Sequence, residues 1–259
     1  MKLFTNSKLS FFAALAALAG LTVTANAATI GVNVGPTGAA NEIGSGDSAG
    51  VVAQTNWNNL LGGNVAATTV NDGSGNLLAT TVQVQTQWSY NTSAGGSGAN
   101  QTLMNSALDN NGGEIGFVVT GIPYALYDVI IYHEGGSNEG RGGPFFIRDT
   151  DGGNAIIATQ NSYDVTNFDG TFVDASTVGV GGSGLDGAGD PVNSNYVRFN
   201  GLTLANIGVR SDAANPAGIA TDRAPISGFQ IVEASAIPEP SSAILALLGL
   251  IGFVSRRKR

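Results

Sequence analysis

Hydrophobic and polar positions along the 259-residue chain fall into three regimes. From Phe11 to Val23 the residues form an apolar run with no polar face. From Ala28 to Ser235, short alternating runs are separated by clusters of Gly, Asn and Asp, and from Ser241 to Val254 a continuous apolar stretch returns. Only the middle regime has the period of two that marks strands with one buried and one solvated face. Thr81 to Trp88 shows it best: Val82, Val84, Thr86 and Trp88 share one face, and Gln83, Gln85 and Gln87 share the other. Similar runs predict strands at Thr29–Val34, Glu114–Thr120, Leu126–His133, Pro144–Arg148 and Ala155–Thr159. Others are predicted at Gly170–Asp174, Tyr196–Asn200, Leu202–Arg210 and Ile226–Glu233. Gln101–Leu108 alone has helical spacing and reads as a connector, and no stretch repeats at a fixed period. About ten strands in one body predict an all-β fold, a single antiparallel β-sandwich or jelly roll. Its predicted core is Val82, Val84, Phe117, Val119, Val129, Ile131, Phe199, Phe229 and Ile231.

Both ends carry processing signals. Lys2 and Lys8 precede the first apolar run, and Ala25-Asn26-Ala27 supplies the small-x-small site that a signal peptidase accepts, so residues 1–27 read as a secretory signal peptide. A buried N-terminal helix would need a polar face, and FFAALAALAGLTV has none. At the other end Pro238-Glu239-Pro240 precedes SSAILALLGLIGFV and the basic cluster Arg256-Arg257-Lys258-Arg259. As a helix the apolar stretch reaches about 21 Å, short of the ~30 Å hydrocarbon core. The basic cluster acts as a membrane stop at the cytoplasmic end. A span this short suits transient retention in the membrane with the body outside. The chain therefore divides into a signal peptide at 1–27, a β-sandwich at 28–236 and a tail at 237–259.

The order of Pro238-Glu239-Pro240, apolar helix and terminal Arg-Arg-Lys-Arg resembles the PEP-CTERM sorting signal of Gram-negative bacteria, also labelled an ice-binding protein C-terminal domain. The resemblance implies recognition by an exosortase, a membrane transpeptidase that cuts near Pro-Glu-Pro. The exported protein then passes from an inner-membrane intermediate to the outer surface or the extracellular polysaccharide. Ile237 stands where Val is usual and Ser242 where Thr is usual, swaps that keep size and polarity class. A literal ice-binding reading is disfavoured, because no regular Thr-x-Thr ladder is present.

Charge changes the picture of the body. Residues 28–236 hold five arginines, no lysine and eighteen carboxylates, a formal charge of −13. Such a surface is repelled by phosphate backbones, which excludes nucleic acid as a partner. The absence of cysteine excludes disulfides, thiolate zinc and a cysteine nucleophile. A single histidine excludes two-His metal sites.

The chemistry-bearing residues are few. His133 ends the strand predicted at Leu126–His133 and Glu134 follows it; alternation puts His133 with Val129 and Ile131, and Glu134 with Ile130 and Tyr132. A histidine oriented by a carboxylate can serve acid–base chemistry, while the plain reading is that His133 caps the end of a core strand. Glu134 with Glu139 is the carboxylate pair a glycosidase would need. Among aromatics that could stack on sugars, Trp57, flanked by Asn56, Asn58 and Asn59, is expected to be exposed. Tyr90 lies just past a strand end, Tyr163 is a further candidate, and Trp88 is expected in the core. Asp149-Thr150-Asp151-Gly152-Gly153-Asn154 resembles the opening of a calcium loop, but Gly153 at position five and Gln160 at position twelve break it. A hairpin turn uses the same residues, so no cofactor is expected and calcium at Asp149 and Asp151 is the weak exception.

Trp57-Asn58-Asn59-Leu60, Tyr127–Tyr132, Asn195–Phe199 and Ala224–Val232 together resemble an uncharacterised β-sandwich module of secreted proteins of Verrucomicrobia and Planctomycetes, with a broad likeness to galactose-binding-like folds. That resemblance implies a fold more than a ligand. The functional expectation is a non-enzymatic surface or matrix protein that binds extracellular polysaccharide. A secreted carbohydrate-active enzyme and a purely structural coat are the alternatives.

Overall fold

The computed structural model describes residues 27–234, apart from 87, 93–95, 110–112, 137–140 and 213–222. The first strand, β1 (Thr29–Gly35), pairs antiparallel with the last, β13 (Gly228–Glu233), and parallel with β2 (Asn58–Leu61). With β8 (Tyr127–Tyr132) and β11 (Tyr196–Leu202) they form a five-stranded sheet in the order β11-β8-β13-β1-β2. A six-stranded sheet runs β10-β9-β12-β7-β4-β3. Its members are β3 (Thr68–Asn71), β4 (Leu77–Gln85), β7 (Glu114–Thr120), β9 (Arg141–Asp149), β10 (Ala155–Asp164) and β12 (Asn206–Asp212). The short hairpin of β5 (Trp88–Asn91) and β6 (Ser106–Asp109) forms a sheet of its own, tied to the segment just before β13 by the Leu108–Ile226 bridge, with the one-and-a-half-turn helix α1 (Ala99–Met104) in its connection.

The two sheets face each other as the alternation requires, with all nine predicted core residues in one buried cluster. Phe117 of one sheet meets Phe229 of the other at 4.8 Å between ring centroids, and every strand pairing except β1–β2 is antiparallel. The five-stranded sheet is also buried on its outer face. There Ile130, Tyr132 and Val232 pack under Ile43, Trp57, Leu103, Met104 and Phe168, so β8 is buried along its whole length. Gly31 makes this cover possible, since a Cβ there would lie 2.4 Å from the Gln54 amide and 2.9 Å from the Trp57 ring.

Several elements differ from the sequence expectation. The strand predicted to run to Trp88 ends at Gln85, because Thr86 turns inward and its hydroxyl donates to the Asp109 carbonyl at 2.8 Å. The predicted helix covers only Ala99–Met104, and Ala107 and Leu108 pair with Tyr90 and Ser89 as strand instead. Gly170–Asp174 is no strand; only Asp174 bridges to Tyr196, while Thr171 and Val173 are held by Asp169 and Asn195 side chains. The run predicted at Leu202–Arg210 divides, with Leu202 ending β11 and β12 starting at Asn206.

Candidate functional site

At the far end of β8 the chain leaves the sheet as His133-Glu134-Gly135-Gly136, and the two faces of the strand decide where the first two side chains go. His133 continues the inner face. Its ring lies 4.7 Å from that of Phe145 on β9, and Nε2 meets the Ser162 hydroxyl of β10 at 2.5 Å. Ser162 contacts Ser194 Oγ at 2.8 Å, and Ser194 in turn accepts from the Tyr163 N–H at 3.2 Å. All three side chains are fully buried. Burial pushes the imidazole down to about 3, so it is neutral at any physiological pH. Ser162 and His133 thus have nucleophile–base geometry, but among the described residues Nδ1 has no hydrogen-bond partner to orient the ring.

Glu134 continues the outer face, again as alternation requires. Its carboxyl accepts the Phe168 N–H at 2.9 Å and the Gly136 N–H at 3.0 Å, pinning the outer-face cover to the sheet. Asp164, the last residue of β10, accepts the Gly135 N–H at 2.5 Å. The two carboxyls are both fully buried side by side, and burial raises both above the usual carboxylate range. Two adjacent buried carboxyls resist ionising together. Arg141 flanks the pair, donating to the Gly135 carbonyl at 2.5 Å and to Tyr90 Oη at 3.3 Å. The turn needs Gly136: its φ is +69°, and a Cβ would lie 2.4 Å from the Thr92 carbonyl oxygen.

Two cavities lined by described residues, about 380 and about 150 Å³, touch none of His133, Glu134, Ser162 and Asp164. These contacts join β8, β9, β10 and the 165–168 segment as a clasp does. Asp164 and Ser162 escaped the sequence reading because the predicted strand stopped at Thr159, where continued alternation through Tyr163 would have reached them. Glu139, the proposed partner of Glu134, lies outside the described residues.

The aromatic expectations reverse. Trp57 is 5% exposed, its indole N–H donates to the Gln54 carbonyl at 3.1 Å, and its ring lies 6.2 Å from that of Tyr132. Its asparagine neighbours serve backbone groups: Asn58 donates to the Gly31 and Asn71 carbonyls, each at 2.9 Å, and Asn59 to that of Ile43 at 3.0 Å. Trp88 is 62% exposed at the start of β5, and Tyr90, two residues on along the same face, is half-buried under the Arg141 guanidinium at 5.7 Å. Burial, helped by the Asp109 charge, pushes the Tyr90 phenol up to about 12. Tyr163 is buried.

Asp149–Asn154 closes the β9–β10 hairpin. Asp149 Oδ1 accepts the N–H groups of Asp151 and Gly152, Asp151 Oδ2 accepts from Asn206, and Gly153 and Asn154 take positive φ. Among the described residues no group of three or more His, Asp or Glu is arranged to hold a metal ion.

The comparisons add one match, at the tail. Residues 236–259 match the PEP-CTERM protein-sorting motif. The chain carries a PEP-CTERM sorting signal. It is therefore an exported, exosortase-sorted protein. No curated protein and no solved structure matches the chain. The PEP-CTERM residues, including Pro238, Glu239, Pro240 and Arg256–Arg259, lie outside the described residues, as does Ala25 of the signal-peptidase site. Among the described residues no helix is long and apolar enough to cross a membrane. Ala27 begins the description two residues before β1, and the Ala28 carbonyl accepts the Glu233 N–H at 2.8 Å. The chain thus enters the sandwich and leaves it toward the PEP-CTERM signal at one end, while His133, Tyr90 and Trp88 lie at the other.

Proposed function

We propose that the processed protein is a non-enzymatic component of the surface or extracellular matrix of a Gram-negative bacterium, and that it binds polysaccharide through the Trp88–Tyr90 face of the β5–β6 hairpin. The observation that carries this reading is the exposed indole of Trp88 beside Tyr90, at the end of the sandwich away from the sorting signal. A flat apolar ring rimmed by polar groups suits the faces of sugar rings. The non-enzymatic part of the reading is supported by the burial of His133, Ser162, Glu134 and Asp164, because a catalytic acid, base or nucleophile must reach its substrate. In a retaining glycosidase the two carboxyls flank a sugar, whereas Glu134 and Asp164 are buried and accept the backbone N–H groups of Gly136, Phe168 and Gly135.

A glycan array and a polysaccharide-release assay on the processed protein test this reading. Trp88→Ala is expected to weaken glycan binding by at least about tenfold, or ~1.4 kcal/mol, with no turnover in either form. Turnover abolished by Glu134→Gln would establish the carbohydrate-active enzyme instead, and silence in both assays leaves the structural coat. The sorting part has its own test. Mass spectrometry of the surface form should lack Arg256–Arg259, and an intact tail would mean a permanent anchor.

A further inference from the structure

The hydrogen bonds around the point where the chain leaves for the sorting signal outline one end of the sandwich. The Glu233 N–H donates to the Ala28 carbonyl and the Ala234 N–H to that of Leu126, at 2.8 and 3.0 Å. The Gly73 N–H donates to the Thr29 carbonyl at 2.8 Å, which brings the β3–β4 turn alongside. Asn206 accepts the Gly121 N–H and donates to Asp151, each at 2.8 Å, so the β7–β8 and β9–β10 turns belong to the same end.

Among the described residues six large hydrophobic side chains are exposed, and four of them lie here. Leu77, at 71% the most exposed, starts β4; Leu126 closes the β7–β8 turn; Ile156 and Ile157 open β10. Ala155–Thr159 is an open edge, with no backbone partner but β9 among the described residues, and a bulge between Ile156 and Ala158 leaves both isoleucines in solvent. The turn Gly121–Leu126 holds no charge and exposes Pro123 and Ala125 as well. Single exposed apolar residues are ordinary on any surface. These stand on β4 and β10, toward opposite edges of the six-stranded sheet, and on the turn that crosses to the other sheet, so they span the end of the body.

The linker decides what this end meets. On the sorting reading, the apolar stretch Ser241–Val254 holds the exported chain in the membrane until the tail is cut. From Ala234 to Ser241 the chain takes seven steps, which reach at most about 25 Å when fully extended. The apolar end is therefore the part of the body held nearest the bilayer.

We propose that, while the tail is in the membrane, Leu77, Leu126, Ile156 and Ile157 seat in the headgroup region of a zwitterionic lipid surface and stand the sandwich upright, with Trp88 turned away. This rests on the reading that the tail stays in the membrane before it is cut. Seating withdraws exposed apolar area from water, and the tether makes the contact intramolecular, so a few side chains suffice. Charge selects the lipid class. Asp72, Asp149, Asp151 and Glu233 lie at the same end, so an anionic surface repels what a zwitterionic one admits.

The exported chain with its tail intact, in phosphatidylcholine vesicles that carry a quencher at headgroup depth, tests this. The chain has no cysteine, so a single introduced one carries a fluorophore to one place. Labels at Leu126→Cys and Ile157→Cys should be quenched at least about twofold more than one at Trp88→Cys at the opposite end. Adding Leu77→Ser and Leu126→Ser should remove at least about half the quenching of the label at 157. Phosphatidylglycerol vesicles at low salt should quench less than phosphatidylcholine. Far-ultraviolet circular dichroism confirms that each variant keeps the fold. Vesicles that float without the chain refute the tail's stay in the membrane, and the inference falls with it. When the chain floats with them, equal quenching at both ends overturns the inference alone. So does quenching at 157 that ignores the serine pair, which would mean that the tether by itself sets the approach, or quenching that is stronger on phosphatidylglycerol.

Discussion

The outer face of the five-stranded sheet around Trp57 and the hairpin around Trp88 present the same side chain in opposite settings. Around Trp57, three loops and α1 lie across the sheet, and a buried amide network holds them there. Val51 donates to Tyr132 Oη at 2.8 Å, Tyr132 donates to Gln230 Oε1, and Gln230 Nε2 reaches Val52 O and Gln54 Oε1, each at 2.8 Å. Around Trp88, β5 pairs among the described residues with β6 alone, and the ring is 62% exposed. The lesson is that polar neighbours do not predict exposure. Asparagines beside Trp57 serve the cover that buries it, whereas the apolar alternation leading to Trp88 ends three residues before the tryptophan.

Substitutions sharpen the contrast, and the largest effect belongs to Trp57. Trp57→Ala should cost about 3–5 kcal/mol in urea unfolding, through a cavity in the second apolar cluster. Trp88→Ala should change stability by no more than about 0.5 kcal/mol. Equal losses in the two variants would break the comparison.

The clasp that pins the cover at Phe168 adds a pH dependence. Glu134 and Asp164 have raised folded-state values, so the folded chain keeps a proton that the unfolded chain has released. Their stabilisation is complete below the unfolded carboxylate range and is lost as pH rises toward the raised folded value. His133 acts in the opposite sense, because its value is depressed and it costs stability only below about 6.5. From about pH 6.5 upward the carboxyl pair stands alone, and the unfolding free energy from urea titration should fall by on the order of 2 kcal/mol. Glu134→Gln should flatten that slope; a slope that survives would place its source elsewhere.

Tyr132→Phe removes the hydroxyl that joins Val51 to Gln230 and should cost about 1–3 kcal/mol, read by thermal unfolding. The smallest effect is expected at the β9–β10 turn. Adding calcium or a chelator should leave the melting temperature unchanged, because Asp149 Oδ1 already accepts two backbone N–H groups. A calcium-dependent rise would turn that hairpin into a metal site.

Much of the architecture was legible. Alternation in Thr29–Val34, Glu114–Thr120 and Ile226–Glu233 located β1, β7 and β13 to within a residue or two, since each has one face on the common core. β2, β3, β5 and β6 were not legible, being four residues each, too short for a period to declare itself. At the candidate site, alternation placed His133 inward and Glu134 outward correctly. It offered nothing on Asp164 or Ser162, which reach β8 only because β10 returns beside β9.

By itself the sequence determined export and sorting, the all-β class and the main core, because signals and alternation are local patterns that neighbouring residues carry among themselves. Only the tertiary structure decided which tryptophan faces water, which carboxyl is buried beside Glu134 and which sheet edge stays open. Each of those depends on a segment distant in the chain arriving to cover, pair or leave bare a surface, and local periodicity does not encode that arrival.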